Sequence, residues 1–145
     1  MKTSQKNILI IEDNRSYAKL VKMHLDAAGY QVKISESGLQ GLNAARSFQP
    51  DLILLDIMLP ELDGHKISRL LKKDRRFKNI PIIMLTSRDM DADRQYASLS
   101  NVEGYLLKTT PMDNILDKVS YSLWQREKIM HLSNVDREAL HVQSS

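Results

Sequence analysis

Short runs of aliphatic residues alternate along this chain with longer segments in which apolar residues recur at helical spacing. The runs lie at residues 8–11, 31–35, 52–56, 82–86 and 104–108. The helical segments lie at about residues 17–25, 39–48, 67–71, 91–100 and 112–123. Successive parallel strands need a crossover connection, and strands covered on both faces read as continuous apolar runs. The pattern therefore predicts an α/β fold, a doubly wound parallel sheet of five strands with five helices.

Length and composition exclude several classes of protein. The chain has 145 residues, no cysteine and a net charge of +3 carried by dispersed basic residues. We expect one domain without a disulfide or thiolate metal site, and no direct contact with nucleic acid, since no basic face stands out. The opening MKTSQKN precedes only four aliphatic residues. That is too few for a signal peptide or a membrane span, so we expect a cytoplasmic protein without membrane insertion.

Polar residues follow four of the predicted strands where each strand ends. Glu12 and Asp13 follow the first strand, Asp56 ends the third, Thr86 the fourth and Lys108 the fifth. In a parallel sheet the carboxyl ends of the strands meet at one edge, where ligands bind. We therefore expect three carboxylates, a hydroxyl and an ammonium to share one pocket.

Such a pocket suits metal-assisted phosphoryl chemistry. Carboxylates held close together repel each other, and a hard cation such as Mg²⁺ removes the conflict. Asp56 can then act as a nucleophile and form an aspartyl phosphate. Lys108 and the hydroxyl of Thr86 would compensate charge on the phosphoryl oxygens.

Each residue also has a purely structural interpretation. An acidic pair after a strand is often part of a helix N-cap, which Asp13 or Asn14 could supply. Thr86 could be structural, and Lys108 a surface cation. Only their joint placement at four strand ends favours a phosphoacceptor pocket.

Four segments carry a resemblance to a known family. They are "ILIIEDN", "PDLILLDIMLPELDG", "IPIIMLTSR" and "GYLLK". In this order and at these separations the chain resembles a response-regulator receiver domain of two-component signalling, over about residues 6–124. The resemblance implies a flavodoxin-like sheet with strand order 2-1-3-4-5. It assigns residues 1–124 to a receiver domain.

The resemblance also implies a metal site and a phosphate donor. Asp56 would receive a phosphoryl group from a sensor histidine kinase or a histidine phosphotransfer protein. Asp13 and Asp56 would bind Mg²⁺ directly, together with the backbone carbonyl of Met58. Glu12 would act mainly through water.

A switch follows from the same resemblance. Lys108 would pair with the phosphoryl group, Thr86 would hydrogen-bond to it, and Tyr105 would turn inward. The face formed by the fourth helix, fifth strand and fifth helix would then change its population of states and bind a downstream protein target. Such a protein is not an enzyme, although it loses its own phosphoryl group slowly. Tyr105 could also be a strand aromatic without a switching role.

Two positions depart from the family pattern. The family usually has proline after its lysine, joined by a cis peptide bond, whereas Thr109 follows Lys108 here. Because a cis bond before threonine would cost about 2.5–4 kcal/mol, we predict a trans Lys108–Thr109 bond. In "LSNVEGY", Val102 is bulkier than the family's usual alanine, so the fourth helix could pack differently.

Residues 125–145 are too few for an output domain. Their apolar residues could form an amphipathic extension of the last helix that covers a partner or a second copy. These residues are Ile129, Met130, Leu132, Val135 and Leu140. A frayed tail is an equal alternative, and a homodimer could form through this extension or through the switching face.

Three other functions compete with a phosphorylated receiver. A haloacid-dehalogenase-like phosphatase would need an aspartate two residues after Asp56, where Met58 stands. A flavin carrier is disfavoured because acidic side chains would repel the flavin phosphate. A degenerate receiver that acts as a constitutive interaction module remains the main alternative.

Overall fold

The computed structural model describes residues 5–60, 62–87 and 102–143, with side chains described as far as residue 132. The strands are β1 (Asn7–Ile11), β2 (Gln31–Ser35), β3 (Leu52–Asp56), β4 (Ile82–Thr86) and β5 (Gly104–Leu107). The helices are α1 (Arg15–Ala27), α2 (Gly38–Phe48), α3 (Gly64–Lys73) and the C-terminal helix (Met112–Gln143). The helix predicted over residues 91–100 lies outside the described residues.

The five strands form one sheet in the order β2-β1-β3-β4-β5, and every neighbouring pair is parallel. The predicted fold class and strand order are therefore confirmed. β3 and β4 are buried along their whole length, whereas β2 and β5 at the edges are partly exposed. The continuous apolar runs of β3 and β4 follow from burial on both faces.

The alternating side chains of the strands divide the core into two layers. One layer packs Leu9 and Ile53 against α2 and α3, and the other packs Ile10 and Leu54 against α1 and the C-terminal helix. Both faces of the sheet are thus covered. The carboxyl ends of β1, β3 and β4 are left to form a cleft between the layers.

Side-chain caps fix where α1, α2 and α3 begin. Asn14, Ser37 and Asp63 each accept a hydrogen bond from the backbone N–H three residues later. Of the two N-cap candidates for α1, Asn14 takes the role, which leaves Asp13 available for other contacts. All three caps follow the carboxyl ends of strands, so the helix N-termini and the strand-end polar residues share one edge.

The C-terminal helix continues without a break past the sheet. Leu123 is its last residue in the core. Beyond it, Arg126 donates a hydrogen bond to the backbone oxygen of Asp51 at 3.0 Å, and Glu127 pairs with Lys6 at 2.6 Å. The segment after Trp124 is therefore helical, and its first turn is tied to the domain. Its boundary as a separate unit stays a prediction.

The peptide bonds in the loop after β5 are all trans. The structure contains no cis peptide bond in the part of the chain that it describes, so the predicted trans Lys108–Thr109 bond is confirmed. The backbone N–H of Lys108 donates to the carbonyl oxygen of Thr86 at 2.7 Å, and that of Thr110 donates to Leu107 at 2.9 Å. These bonds hold the loop against the end of β4 without proline.

Candidate functional site

Asp56 lies at the carboxyl end of the central strand β3 and is almost fully buried. Its Oδ1 accepts a hydrogen bond from the backbone N–H of Met58 at 3.1 Å, and its Oδ2 lies 3.5 Å from Nζ of Lys108. The carboxylate thus faces the cleft and not the hydrophobic core. An ammonium group and a backbone donor partly compensate the cost of burying its charge.

Glu12 is the most buried carboxylate of the site. Its Oε1 lies 2.5 Å from Nζ of Lys108, and its Oε2 accepts a hydrogen bond from the backbone N–H of Asn14 at 3.0 Å. Burial raises the pKa of Glu12 to about 7 and the charge of Asp56 adds to the rise, although the bonds from Lys108 and Asn14 oppose it. Near neutral pH this carboxyl is poised between its two protonation states.

Asp13 completes a cluster of three carboxyl groups. One carboxylate oxygen from each of Glu12, Asp13 and Asp56 lies within 4.8 Å of the others. Glu12 and Asp56 are buried, and Asp13 is exposed at the mouth of the cleft. Hard oxygen ligands at this spacing, open to solvent on one side, fit Mg²⁺, which keeps several waters in its shell. The raised pKa of Glu12 is what a cation would relieve.

Thr86 ends β4, and Met58 follows β3, the strand that ends at Asp56. Thr86 is fully buried at the end of β4, and β4 pairs with β3 so that Leu85 stands opposite Asp56. Met58 lies in the loop after β3 with its side chain half exposed. Its contribution to the pocket is therefore through its backbone.

Tyr105 lies on β5 away from the carboxylates. It is half-buried, packs against the core layer of α2 and α3, and its hydroxyl lies 3.4 Å from Nδ1 of His65. The two ring centroids are 6.1 Å apart. Tyr105 on the edge strand β5 thus contacts His65 in the first turn of α3. Through this contact the outer edge of the sheet is connected to the region that follows β3.

Sequence reasoning missed Tyr17 as a residue of the site. We treated it only as part of the apolar pattern of α1, but Nζ of Lys108 lies 5.3 Å from the centre of its ring. Burial and the charges of Glu12 and Asp56 raise the pKa of Tyr17 to about 12. Its position two residues into a helix that begins beside an acidic pair was the available signal.

Comparison with known proteins settles the family. Residues 8–120 match the family described as response regulator receiver domain. The chain belongs to this family. Receiver domains are signalling modules and not enzymes; they typically bind Mg²⁺ at an acidic site and interact with histidine kinases or phosphotransfer proteins and with downstream targets.

Two curated relatives illustrate the match. The chain is 34% identical over 114 residues to the polar-differentiation response regulator DivK of Brucella ovis, covering 79% of this chain and 93% of that protein. It is 36% identical over 122 residues to the DNA-binding dual master transcriptional regulator RpaA of Synechocystis sp.. That match covers 84% of this chain and 51% of RpaA, so this chain spans about half of that relative's length.

Solved structures agree in fold. A CheY-like response regulator receiver domain protein from Methanospirillum hungatei superposes with a TM-score of 0.80 at 26% identity, covering 86% of this chain and 98% of that one. The BeF3-activated N-terminal receiver domain of Klebsiella pneumoniae RstA gives a TM-score of 0.75 at 30% identity, covering 81% and 98%. Among the described residues, no helix is both long enough and apolar enough to cross a membrane.

Proposed function

We propose that this protein is a phosphoacceptor response regulator that receives a phosphoryl group on Asp56. The observation that carries the proposal is the position of Nζ of Lys108, 2.5 Å from Glu12 and 3.5 Å from Asp56 within a cluster of three carboxyl groups. The donor is a sensor histidine kinase or a histidine phosphotransfer protein, as in the family. A carboxylate oxygen of Asp56 bonds to phosphorus while the phosphorus–nitrogen bond of the donor imidazole breaks and leaves its electron pair on nitrogen.

Mg²⁺ bound to Asp13, Asp56 and the backbone carbonyl of Met58, with Glu12 acting through water, would neutralise charge on the transferring group. Lys108 then pairs with a phosphoryl oxygen as well as with Glu12. The ammonium is already held in the pocket by Glu12, so little side-chain ordering is left to this step. Slow attack of water on the phosphorus returns Asp56 to its free form.

The switch that we propose runs through Thr86 and Tyr105. A hydrogen bond from the hydroxyl of Thr86 to the phosphoryl group moves the end of β4, and Tyr105 turns inward and loses its contact with His65. This changes the outer face formed by β5 and the C-terminal helix, to which a downstream protein target binds. The fourth helix of this face lies outside the described residues, and the cytoplasmic location stays a prediction.

The test of phosphorylation uses a small phosphodonor. Incubation with Mg²⁺ and acetyl phosphate should add one phosphoryl group to the wild-type protein, measured as intact mass. Asp56→Asn should add none, and excess chelator should abolish labelling of the wild type. A labelled Asp56→Asn protein would contradict the site, whereas an unlabelled wild type would favour a constitutive interaction module.

We also propose that the C-terminal helix pairs with a second copy of itself, antiparallel and centred on Leu132. Ile129 and Leu132 are exposed on the helix, 67% and 53% respectively, and lie three residues apart on one side. Lys128 and Asp136 stand four residues before and after Leu132 in the sequence. In an antiparallel pair centred on Leu132, position 128 of each copy would stand level with position 136 of the other.

The apolar positions of the helix obey the same symmetry. Ile129 and Val135 stand three residues before and after Leu132, so each would lie beside the other residue of the second copy. Self-complementarity about one residue is what a two-fold symmetric contact requires, and it favours a second copy over an unrelated partner.

A further inference from the structure

Tyr17 presents a polar atom that the site as described does not use. Its hydroxyl is buried and has no hydrogen-bond partner among the described residues. A buried hydroxyl without a partner is unfavourable, because its interaction with water has been lost and nothing replaces it. Such an atom in a native protein calls for an explanation, and a ligand that binds next to it is one.

The surroundings of the hydroxyl identify the kind of ligand. The ring of Tyr17 lies 5.3 Å from Nζ of Lys108. Glu12 and Asp56 both act electrostatically on the phenol, which places it within range of both carboxylates. The phenol keeps its proton at neutral pH, so it can donate a hydrogen bond to an anionic oxygen.

The hydroxyl of Tyr17 does not donate a hydrogen bond to the carboxylate of Glu12 or of Asp56. Glu12 is already bonded to Lys108 and Asn14, and Asp56 to Met58. A ligand that brings an acceptor oxygen next to Tyr17 would satisfy this hydroxyl. An anion with several oxygens, attached at Asp56 and beside Lys108, meets this requirement.

We propose that Tyr17 is a phosphoryl-binding residue, whose hydroxyl donates a hydrogen bond to the phosphoryl group on Asp56 while its ring positions Lys108. The inference rests on the proposed function of Asp56. The ammonium of Lys108 packs on the face of the ring, an arrangement favourable for a cation at this distance. Tyr17 therefore supplies, from α1, a second hydroxyl donor to the phosphoryl oxygens besides Thr86.

The test compares Tyr17→Phe with the wild type in thermal unfolding. Phenylalanine keeps the ring and its contact with Lys108 and removes only the hydroxyl. Without ligands, Tyr17→Phe should unfold at the wild-type temperature or above it, because the lost hydroxyl has no hydrogen-bond partner among the described residues. With Mg²⁺ alone, the two proteins should gain the same increase in Tm.

Beryllofluoride, a phosphoryl mimic, should separate the two proteins. In Mg²⁺ with beryllofluoride the wild type should gain a further increase in Tm, and Tyr17→Phe should require about tenfold more beryllofluoride for the same increase, as expected for one lost hydrogen bond to a charged acceptor. Tyr30→Phe is the matched control, since Tyr30 packs at the edge of the same core layer. It should respond to beryllofluoride as the wild type does.

Three results would overturn the inference. Equal beryllofluoride responses of wild type and Tyr17→Phe would show that the hydroxyl does not contact the phosphoryl group. A difference already present with Mg²⁺ alone would place the hydroxyl on the metal's water shell instead. A large loss of Tm in the unliganded variant would reveal an existing partner. A wild type that does not respond to Mg²⁺ with beryllofluoride would instead contradict the proposed function itself.

Discussion

Among the single residues of the site, Lys108 makes contact with the largest number of its members. Its ammonium is buried enough to depend on its partners, and it lies between Glu12, Asp56 and the ring of Tyr17. A cation in this place partly neutralises two buried carboxylates before any phosphoryl group arrives. After phosphorylation it is the group best placed to sense the new charge, since it already lies within 3.5 Å of Asp56.

Replacement of Lys108 by alanine should leave phosphorylation possible but weaken the conformational response to it. We expect Lys108→Ala to fold and to accept the phosphoryl group, but to show a smaller response at Tyr105, because the charge-assisted contact to the phosphoryl oxygen is lost. Amide chemical shifts of β5 before and after phosphorylation measure the response. Lys19→Ala, an exposed substitution on α1, is the control; wild-type shift changes in Lys108→Ala would remove Lys108 from the coupling.

Glu12 predicts a pH dependence of stability in the metal-free protein. Its pKa of about 7 in the folded state lies above the ordinary value of 4.5. The folded state therefore binds the proton more tightly, and the free energy of unfolding should fall as pH rises from about 4.5 to 7, by on the order of 2–3 kcal/mol.

The measurement is urea unfolding in chelator between pH 5 and 8. Glu12→Gln carries no titrating group at this position, so it should lack this part of the decline. If the two proteins lost stability in parallel across this range, Glu12 would not be the group responsible.

Among the secondary-structure elements, the close packing of α3 on the end of β3 fixes the backbone that carries Asp56. Gly64 opens α3, and its N–H donates to the carbonyl oxygen of Ile57 at 3.0 Å. A Cβ at Gly64 would lie 2.5 Å from the backbone oxygen of Asp56 and 2.9 Å from Cα of Ile57. The helix therefore packs directly on the backbone that carries Asp56, and only glycine leaves room for it.

Gly64→Ala should consequently damage both stability and the site. Because the obstructing atoms are backbone, we expect a loss of about 1–3 kcal/mol in the free energy of unfolding and slower phosphorylation by acetyl phosphate. Gly38→Ala is the matched control, since its Cβ would meet the flexible end of the Ile67 side chain. Gly38→Ala should lower the free energy of unfolding by less than Gly64→Ala does and leave the phosphorylation rate unchanged. An equal loss of stability in the two variants would contradict the special role of Gly64.

The elements show which features the sequence could predict. Hydrophobic runs placed β3 and β4 at their observed bounds, because strands covered on both faces contain little else. The strand-end residues Glu12, Asp56 and Lys108 followed from the predicted ends of the first, third and fifth strands. The contact of Lys108 with the ring of Tyr17 did not, because it joins two segments that are distant in the sequence, and no local pattern encodes which of their side chains meet.

Exposed positions were the harder part of the prediction. Leu20, Leu39 and Leu70 fit the helical apolar pattern but are 40–62% exposed. The C-terminal helix runs to Gln143, which is the helical one of the two alternatives for the residues after Trp124; the sequence could not decide between them, because a helix beyond the sheet has no core residues to mark its length. A pattern of apolar residues indicates which face of a helix is apolar, but it does not show whether another part of the protein packs on that face.

At the scale of the whole molecule, the long C-terminal helix is the element through which we propose that the receiver pairs with a second copy. Its 32 residues span about 48 Å at 1.5 Å per residue. A helical segment without tertiary packing is marginal in water, so an extension beyond the core gains stability from a partner. In the pairing that we propose, this partner is the same helix of a second copy.

Light scattering coupled to size-exclusion chromatography tests this pairing. We expect a dimer for the wild type and a monomer for Leu132→Asp, because two aspartates would meet at the centre of the contact. Lys128→Asp should weaken the dimer, and the double change Lys128→Asp with Asp136→Lys should restore it, since the pairs are then exchanged. A monomeric wild type, or a double variant as weak as Lys128→Asp alone, would contradict the proposed register.

The central claim is that one carboxylate, that of Asp56, receives the phosphoryl group. Tandem mass spectrometry of peptides from protein phosphorylated with Mg²⁺ and acetyl phosphate, after borohydride reduction of the acyl phosphate, tests it most directly. We expect the peptide containing Leu52–Asp56 to carry the reduced aspartate at position 56, and Glu12 and Asp13 to remain unmodified. Modification at Glu12 or Asp13 with an intact Asp56 would contradict it.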